Sequence, residues 1–317
     1  MDQRVSSYML DVPETDLRKS TSKRFGSTLS SWVDRHFAVL TVMPTLTVTI
    51  LVFGLPLVLS LMLSVQGWSA QQSLFGGRFV GFANYIDLFS DPQFTQALWL
   101  TIAYTVITVF LELAIGLGVA LLLNKDVPFV KAFRTALIVP MMITPIVASM
   151  CWKLLLDPNY GIVDYFIGSP ILWLGDPTLA RISVGFVNVW QNAPYVAILL
   201  LAGLRSLPSE PIEAAAIDGA TRFQIFRHVT FPLLTPYIVV ALLLRTIFEF
   251  RTFDNVWVMT GGGPADATKL LSVYTFMTSF FAFDMSLGAA ASWIMLLIVF
   301  VFCVLFVAAS RRKENAL

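Results

Sequence analysis

Long apolar runs separated by short polar segments dominate this sequence. They cover about residues 37–66, 95–123, 132–156, 182–204, 232–258 and 286–310. Each run is close to or above the ~20 apolar residues that cross a ~30 Å hydrocarbon core. Because a bilayer offers no water to unpaired backbone groups, such segments must be helical. The pattern therefore predicts an all-α polytopic membrane protein with six transmembrane helices.

Composition agrees with a membrane protein. Hydrophobic residues make up 57% of the chain and charged residues 13%, and the mean hydropathy is +0.76. Soluble domains contain roughly 25% charged residues. The net charge of +1 argues against a nucleic-acid partner, which would usually require a basic surface. The first apolar run far exceeds the roughly 7–15 residue core of a cleaved signal peptide, so we expect it to remain as a span.

The distribution of lysine and arginine predicts the orientation. With the N-terminus inside, the segments facing the cytoplasm are rich in both residues, and the outer segments hold only Arg78, Arg181 and Lys269, with Lys153 near an outer helix end. The positive-inside rule then places both termini in the cytoplasm. The predicted layout is a cytoplasmic tail over 1–35, a membrane domain over 36–310, a cytoplasmic loop over 205–231, and a C-terminal tail over 311–317.

The polar segment 205–231 begins with the pattern of a short helix. Ser209 is predicted to cap its N-terminus, and Glu210 and Glu213 lie in its first turns, where the positive end of the helix dipole favours anions. Gly219 is predicted to end the helix, because glycine readily adopts the left-handed conformation of a C-terminal cap.

A second short helix is predicted directly after this glycine. Thr221 and Gln224 have the spacing of a capping box. Pro232 is predicted to stop the helix, because its ring removes a backbone donor. Two short helices exposed to water between two spans suit a surface that another protein grips.

Spaced residues in this segment carry a family resemblance. They are Glu213, Ala214, Ala215, Asp218, Gly219, Ala220, Phe226, Phe231 and Pro232. The pattern resembles the EAA loop of binding-protein-dependent ABC importer permeases, and Asp218 before the glycine is typical of the sugar-uptake branch. We call residues 205–231 the EAA loop.

Two outer segments extend the resemblance. Residues 79–85 are similar to the F-x-G-x-x-N-Y segment of sugar permeases, and residues 253–268 are similar to their F-D…T-G-G-G-P…T segment. Together with the EAA loop, these segments bracket the chain from about residue 37 to residue 310.

The resemblance implies a permease fold of six transmembrane helices with a cytoplasmic EAA coupling helix. It implies alternating access in a bacterial or archaeal inner membrane, surrounded by lipid. The implied partners are a second permease subunit forming a heterodimer, two cytosolic ATPase subunits and an external or periplasmic solute-binding protein. The implied cargo is a sugar or a derivative such as a polyol or glycoside. The residues implied to couple to the ATPases are Glu213, Ala214, Ala215, Asp218 and Gly219.

The resemblance also implies that ATP and Mg²⁺ are bound by the partner ATPase subunits. The chain itself has no G-x-x-x-x-G-K-[ST] phosphate-binding loop. We expect no cofactor and no metal site in this chain, and no nucleophile–base constellation predicts a catalytic residue. The chain is therefore predicted not to be an enzyme.

Charged residues inside the spans are candidates for the solute pathway, because they are costly in a membrane. Arg245 and Glu249 are four residues apart and are predicted to share one helix face. They would either line a solute cavity or form a structural ion pair. Glu112, in the second span, has no partner nearby in the sequence, and its role is left open.

Polar side chains in the fourth and fifth spans complete the candidate set. Amides beside aromatic rings suit hydroxyl-rich sugars, although they would equally hydrogen-bond neighbouring helices. The fourth-span candidates are Asn188, Gln191, Asn192 and Tyr195. Arg251 and Asp254 are predicted to share a different face of the fifth span and, with Asn255, to form an outer gate or a structural contact.

Two other functions are consistent with parts of the pattern. A stand-alone, ion-coupled secondary transporter would use Glu112 and Glu249 as proton or ion sites. An ABC importer of a non-sugar solute would share the EAA loop. The EAA loop distinguishes the first alternative, because a stand-alone transporter has no use for it.

Overall fold

The structure is a computed structural model that describes residue 39 and residues 41–68, 76–125 and 130–314. The predicted tail 1–35 and residues 315–317 lie outside it. The helices, in chain order, are α1 (Thr41–Ser64), α2 (Ala83–Ser90), α3 (Pro92–Leu123), α4 (Val130–Met142), α5 (Pro145–Leu155), α6 (Ile162–Ile167), α7 (Pro177–Ser206), α8 (Glu210–Ile217), α9 (Arg222–Ile225), α10 (Phe231–Glu249), α11 (Asp254–Thr260), α12 (Leu271–Phe280) and α13 (Met285–Glu314).

Five helical segments of the described chain are long and apolar enough to cross a membrane. They are α1, α3, α7, the segment Arg222–Glu249 and the Met285–Ala308 part of α13. Helices α4 and α5 are bent by 97° at the break between them and pass the same test together. The predicted all-α membrane fold is confirmed, with six apolar spans if this bent pair counts as one. Helix α13 continues to Glu314, so the predicted C-terminal tail begins as helix.

The described residues from Ser60 onward form one compact unit, and those up to Leu59 form another. Within the larger unit, α3 and α7 share the most extensive contact. Their close approach depends on Gly116, because a Cβ atom there would lie 2.6 Å from Cγ1 of Val196. Apolar clusters lie at both ends of this helix pair, one around Leu200 and Leu234 and another around Val184, Val187, Val256 and Met259.

A short antiparallel pairing follows the first span and was not predicted. Strand β1 (Gln66–Gly67) pairs with β2 (Arg78–Phe79). The amide of Asn84 donates to the carbonyl oxygen of Ser64 at 2.8 Å, and the hydroxyl of Tyr85 donates to Oγ of Ser64 at 2.8 Å. The Asn-Tyr pair of the F-x-G-x-x-N-Y segment therefore satisfies the carboxyl end of a membrane helix.

The predicted fifth span, 232–258, is wrong at its outer end. Helix α10 stops at Glu249, and α11 starts at Asp254. The carbonyl of Thr252 accepts a hydrogen bond from Oγ of Ser272 in α12 at 2.5 Å. The amide of Thr252 donates to the carbonyl of Glu249 at 3.0 Å, three residues back, which makes a tighter turn than an α-helix. A tertiary hydrogen bond thus takes the place of the helical one, and the apolar pattern gave no sign of it.

Candidate functional site

A buried arginine joins two buried carboxylates in the middle of the bundle. Nε of Arg245 lies 2.7 Å from Oε2 of Glu112, and its Nη2 lies 2.9 Å from Oε1 of the same carboxylate. Nη2 also bonds Oε1 of Glu249. Arg245 is 5% exposed, Glu112 0% and Glu249 1%. The predicted contact between Arg245 and Glu249 is confirmed. The partner of Glu112 was missed because it lies 133 positions away.

The second carboxylate oxygen of Glu249 is held by three further donors. Nδ2 of Asn188 donates to Oε2 at 2.5 Å. The hydroxyls of Thr108 and Thr252 donate to the same oxygen, each at 3.3 Å. A buried carboxylate that accepts this many hydrogen bonds is held in one position.

The amide of Asn188 connects Glu249 to two more helices, α11 directly and α5 through Asn255. Its Oδ1 accepts from Nδ2 of Asn192 at 2.8 Å and from Nδ2 of Asn255 at 3.4 Å. Oδ1 of Asn255 in turn accepts from the hydroxyl of Ser149 at 3.2 Å. We call this set the polar network, and its members are Glu112, Ser149, Asn188, Asn192, Arg245, Glu249 and Asn255. It connects α3, α5, α7, α10 and α11.

Gln191 links α7 to the bend between α4 and α5. Its Nε2 donates to the carbonyl oxygen of Ile143 at 2.8 Å. Because a carbonyl can only accept, this bond sets the orientation of the amide. Oε1 of Gln191 is buried and has no hydrogen-bond partner within the described residues.

A cavity of about 360 Å³ lies against the polar network. Small-molecule sites typically occupy ~300–1,000 Å³. The predicted residues that line it are Asn188, Gln191, Asn192, Arg245, Glu249, Arg251, Asp254 and Asn255, and the remaining lining residues are Met141, Pro145, Phe248, Thr252 and Phe253. The structure thus brings the solute-pathway and outer-gate candidates together, with one exception.

Tyr195 is the exception, because it does not line this cavity, and its place in the solute pathway stays a prediction. It shares a helical stripe with Asn188 and Asn192, but it lies about one turn farther along α7. There it packs against the apolar cluster that includes Leu200 and Leu234. Its position on the stripe was predictable from the sequence. How far the cavity extends along α7 was not.

The predicted shared face of Arg251 and Asp254 is also wrong. The argument assumed a regular helix, and the chain leaves the helix between Glu249 and Asp254. Both side chains are nevertheless exposed and line the same cavity. Their function as gate residues stays a prediction.

The first helix of the EAA loop is α8, and Gly219 ends it as predicted. Gly219 has φ +81°. The amide of Ala220 donates to the carbonyl of Ala215 at 3.0 Å, and the amide of Gly219 donates to the carbonyl of Ala216 at 3.2 Å. This pair of bonds is a Schellman cap. Of the predicted coupling residues, Glu213, Ala214, Asp218 and Gly219 are exposed and Ala215 is half-buried. The sequence reasoning missed two exposed apolar neighbours, Ile217 and Phe223.

Three predictions about the ends of these helices have mixed outcomes. The capping box is confirmed, because the Thr221 amide bonds Oε1 of Gln224 at 2.7 Å and the Gln224 amide bonds Oγ1 of Thr221 at 3.4 Å. Ser209 makes no capping bond, because its backbone is already helical at φ −75° and ψ −30°. Pro232 does not stop a helix. A π turn over Phe226–Thr230 shifts the hydrogen-bond register just before it, and α10 continues.

Comparison with known proteins identifies the family. A family model described as the inner membrane component of binding-protein-dependent transport systems matches residues 20–314. A trehalose/maltose transport system permease protein of Thermococcus litoralis is 34% identical over 241 residues, which is 75% of this chain and 81% of that protein. A sulfoquinovosyl glycerol transport system permease protein of Agrobacterium fabrum is 32% identical over 285 residues, which is 89% and 92%.

A solved structure shares the fold. One chain of a bacterial ABC transporter involved in the import of the acidic polysaccharide alginate superposes with a TM-score of 0.78 at 21% identity, over 90% of this chain and 99% of that one. At this identity the likeness concerns the fold alone. The family match and the two permease relatives establish that this chain belongs to the inner membrane components of binding-protein-dependent transport systems.

Proposed function

We propose that this chain is a permease subunit of an ATP-driven ABC importer that moves a sugar or sugar derivative, such as a polyol or glycoside, into the cytoplasm. The observation that carries the proposal is the polar cavity among the spans of a chain from a transport family. The relatives that are sugar permeases support the sugar class.

The cavity has the chemistry that hydroxyl groups need. Amides donate and accept, so they match the mixed donor and acceptor character of a sugar. In this proposal the solute contacts Asn188, Gln191 and Asn192 on α7 and lies beside Glu249. Arg251, Asp254 and Asn255 stand at the outer gate.

The EAA loop connects this cavity to the energy source. Glu213 makes an ionic contact with an ATPase subunit, Ala214 and Ala215 allow close approach, and Asp218 and Gly219 set the bend. ATP and Mg²⁺ belong to the partner subunits in this proposal. Movement of α8 is passed through α9 and the π turn to α10, which carries Arg245 and Glu249, and the spans alternate between inward-open and outward-open states.

The proposed assembly contains a second permease subunit, two cytosolic ATPases and an external solute-binding protein. The half-built character of the cavity supports the heterodimer. It is lined mainly by α7, α10 and α11, with Met141 of α4 and Pro145 of α5, and Met142 next to it is exposed where a second subunit could pack. The lysine and arginine distribution supports placing both termini and the EAA loop on the cytoplasmic side.

The stand-alone, ion-coupled transporter is disfavoured by a specific contact pattern. Its proton or ion sites would be Glu112 and Glu249, and both carboxylates are ion-paired with Arg245. The other alternative, an ABC importer of a non-sugar solute, is distinguished from a sugar importer by the uptake experiment that follows.

The test is uptake into proteoliposomes that contain this chain, its partner permease and its ATPase subunits, with ATP inside and the solute-binding protein outside. We expect uptake of labelled sugars that requires both ATP and the binding protein. A Gly219→Val variant, which strains the bend of the EAA loop, is expected to lose transport. Transport by this chain alone would contradict the ABC assignment, and uptake of amino acids in place of any sugar would contradict the sugar class.

A further inference from the structure

The charged groups at the cavity leave no spare positive charge at its inner end. Arg245 and Arg251 line the cavity together with Glu249 and Asp254, and Glu112 lies directly behind Arg245. Two arginines face three carboxylates, which is a formal net charge of −1. If one carboxylate carries a proton, the set is neutral and still not positive. In neither case does the cluster attract an anionic group, and with a charge of −1 it repels one.

The inner arginine is already committed to its two partners. Arg245 forms a two-pronged contact with Glu112 through Nε and Nη2, and Nη2 also bonds Glu249. Arginine binds anionic ligands best through such a two-pronged contact. An incoming carboxylate, sulfonate or phosphate could form a two-pronged contact through the same two nitrogen atoms only by displacing a buried carboxylate, and this would leave that carboxylate unpaired.

The amides at the cavity offer an acceptor that a ligand could satisfy. Among the described residues, Oε1 of Gln191 is buried without a partner, and the bond from one Nε2 hydrogen to Ile143 fixes the amide so that the oxygen, and not the nitrogen, occupies that position. A hydroxyl can donate to this oxygen, whereas an ionised acid group has only acceptors. This observation is independent of the charge count and disfavours an acid group at this position of the solute.

We propose that the solute held in this cavity is an uncharged, hydroxyl-rich molecule and not a carboxylated, sulfonated or phosphorylated sugar. The inference rests on the proposed function, because it names the class of sugar. Arg251 does not change this inference, because it is exposed and lies at the edge of the cavity together with Asp254, which carries the opposite charge.

The first experiment compares matched sugars in the complete importer. Each pair differs only in an acid group, as in glucose with glucuronate and galactose with galacturonate, and trehalose and maltose extend the neutral set. We expect ATP-dependent uptake of at least one neutral member. The uptake rate of its acid counterpart is expected to be lower by about tenfold or more. Preferential uptake of an acid would overturn the inference and leave the sugar function standing. Uptake of amino acids without any sugar would overturn the proposed function, and the inference with it.

The second experiment removes the influence of the solute-binding protein. The full permease–ATPase complex is titrated calorimetrically with the neutral sugar identified by uptake and with its acid counterpart. In the Glu249→Gln variant, the loss of one negative charge should raise the ratio of acid to neutral affinity about tenfold. A purely structural role would lower both affinities and leave their ratio unchanged, and that result would count against the proposal.

Arg251→Gln is the matched variant at the exposed edge of the cavity. The proposal expects the neutral preference to persist, because the charge that decides the preference lies at the inner end. If the wild-type complex binds the acid more tightly and Arg251→Gln abolishes this, then Arg251 is the anion-reading residue and the inference is wrong.

Discussion

In the EAA loop, hydrogen bonds join groups three to five positions apart, as in the Thr221–Gln224 box and the Ala220–Ala215 cap. In the polar network, the bonds between different helices join side chains 61 to 133 positions apart, as between Asn188 and Glu249 and between Glu112 and Arg245. The loop is exposed and the network is buried. A change in the loop should therefore act locally, and a change in the network should affect several helices at once.

The largest effect is expected from Arg245→Ala. It leaves Glu112 and Glu249 buried without their counter-charge, and breaking a buried pair in this way costs about 3–5 kcal/mol. Thermal unfolding of the purified complex measures the loss. A triple variant, Glu112→Gln with Arg245→Met and Glu249→Gln, should recover part of the stability because no charge stays buried. Equal losses in Arg245→Ala and in exposed Arg251→Ala would contradict this explanation.

The next effect concerns packing, at Gly116 in α3. A Cβ atom there would lie 2.6 Å from Cγ1 and 2.8 Å from Cβ of Val196, so Gly116→Ala should separate α3 from α7 and cost about 1–3 kcal/mol. Gly118→Ala is the matched control, because a Cβ at Gly118 meets nothing within 4 Å. The same unfolding assay compares them. Similar stability of the two variants would show that the close approach is not required.

Gly219→Ala tests conformation without crowding. A Cβ at Gly219 meets nothing within 4 Å, but φ is +81°, and a left-handed residue other than glycine costs about 1–2 kcal/mol. We expect the solute-stimulated ATPase activity of the complex to fall while the unfolding of the spans is unchanged. Gly219→Asn should retain more activity, because asparagine tolerates this conformation. Equal activity of the alanine variant and the wild type would contradict the role of the bend.

The smallest effects compare two predicted helix caps. Thr221→Ala removes an observed capping bond and should destabilise α9 by about 1 kcal/mol. Ser209→Ala removes no such bond and should be close to neutral. Hydrogen exchange over residues 205–231 reports both. Faster exchange in Ser209→Ala than in Thr221→Ala would reverse the assignment.

The EAA loop was largely predictable, and its two errors have one cause. Ser209 and Pro232 have residue types typical of helix ends, but the helical path of the backbone through both positions depends on how the chain leaves α7 and enters α10. The capping box and the glycine cap were predicted correctly because their bonding groups lie in the same few residues.

The cavity was predictable in part. The i,i+4 spacing was enough to predict the contact between Arg245 and Glu249, and the amide-rich stripe of α7 was enough to nominate Asn188, Gln191 and Asn192. The partner of Glu112, the contact of Ser149 with Asn255 and the exclusion of Tyr195 were not predictable. Each depends on which faces of different helices meet.

From the sequence alone come the apolar spans, the two short helices of the EAA loop and the helix faces that carry polar side chains. These depend on local hydrogen bonds and on side-chain periodicity. Only the tertiary structure decided that Arg245 is shared by two carboxylates, that α10 ends at Glu249, and that eight predicted residues line one cavity. The physical reason is that these features require helices far apart in the chain to approach closely, as α3 and α7 do at Gly116.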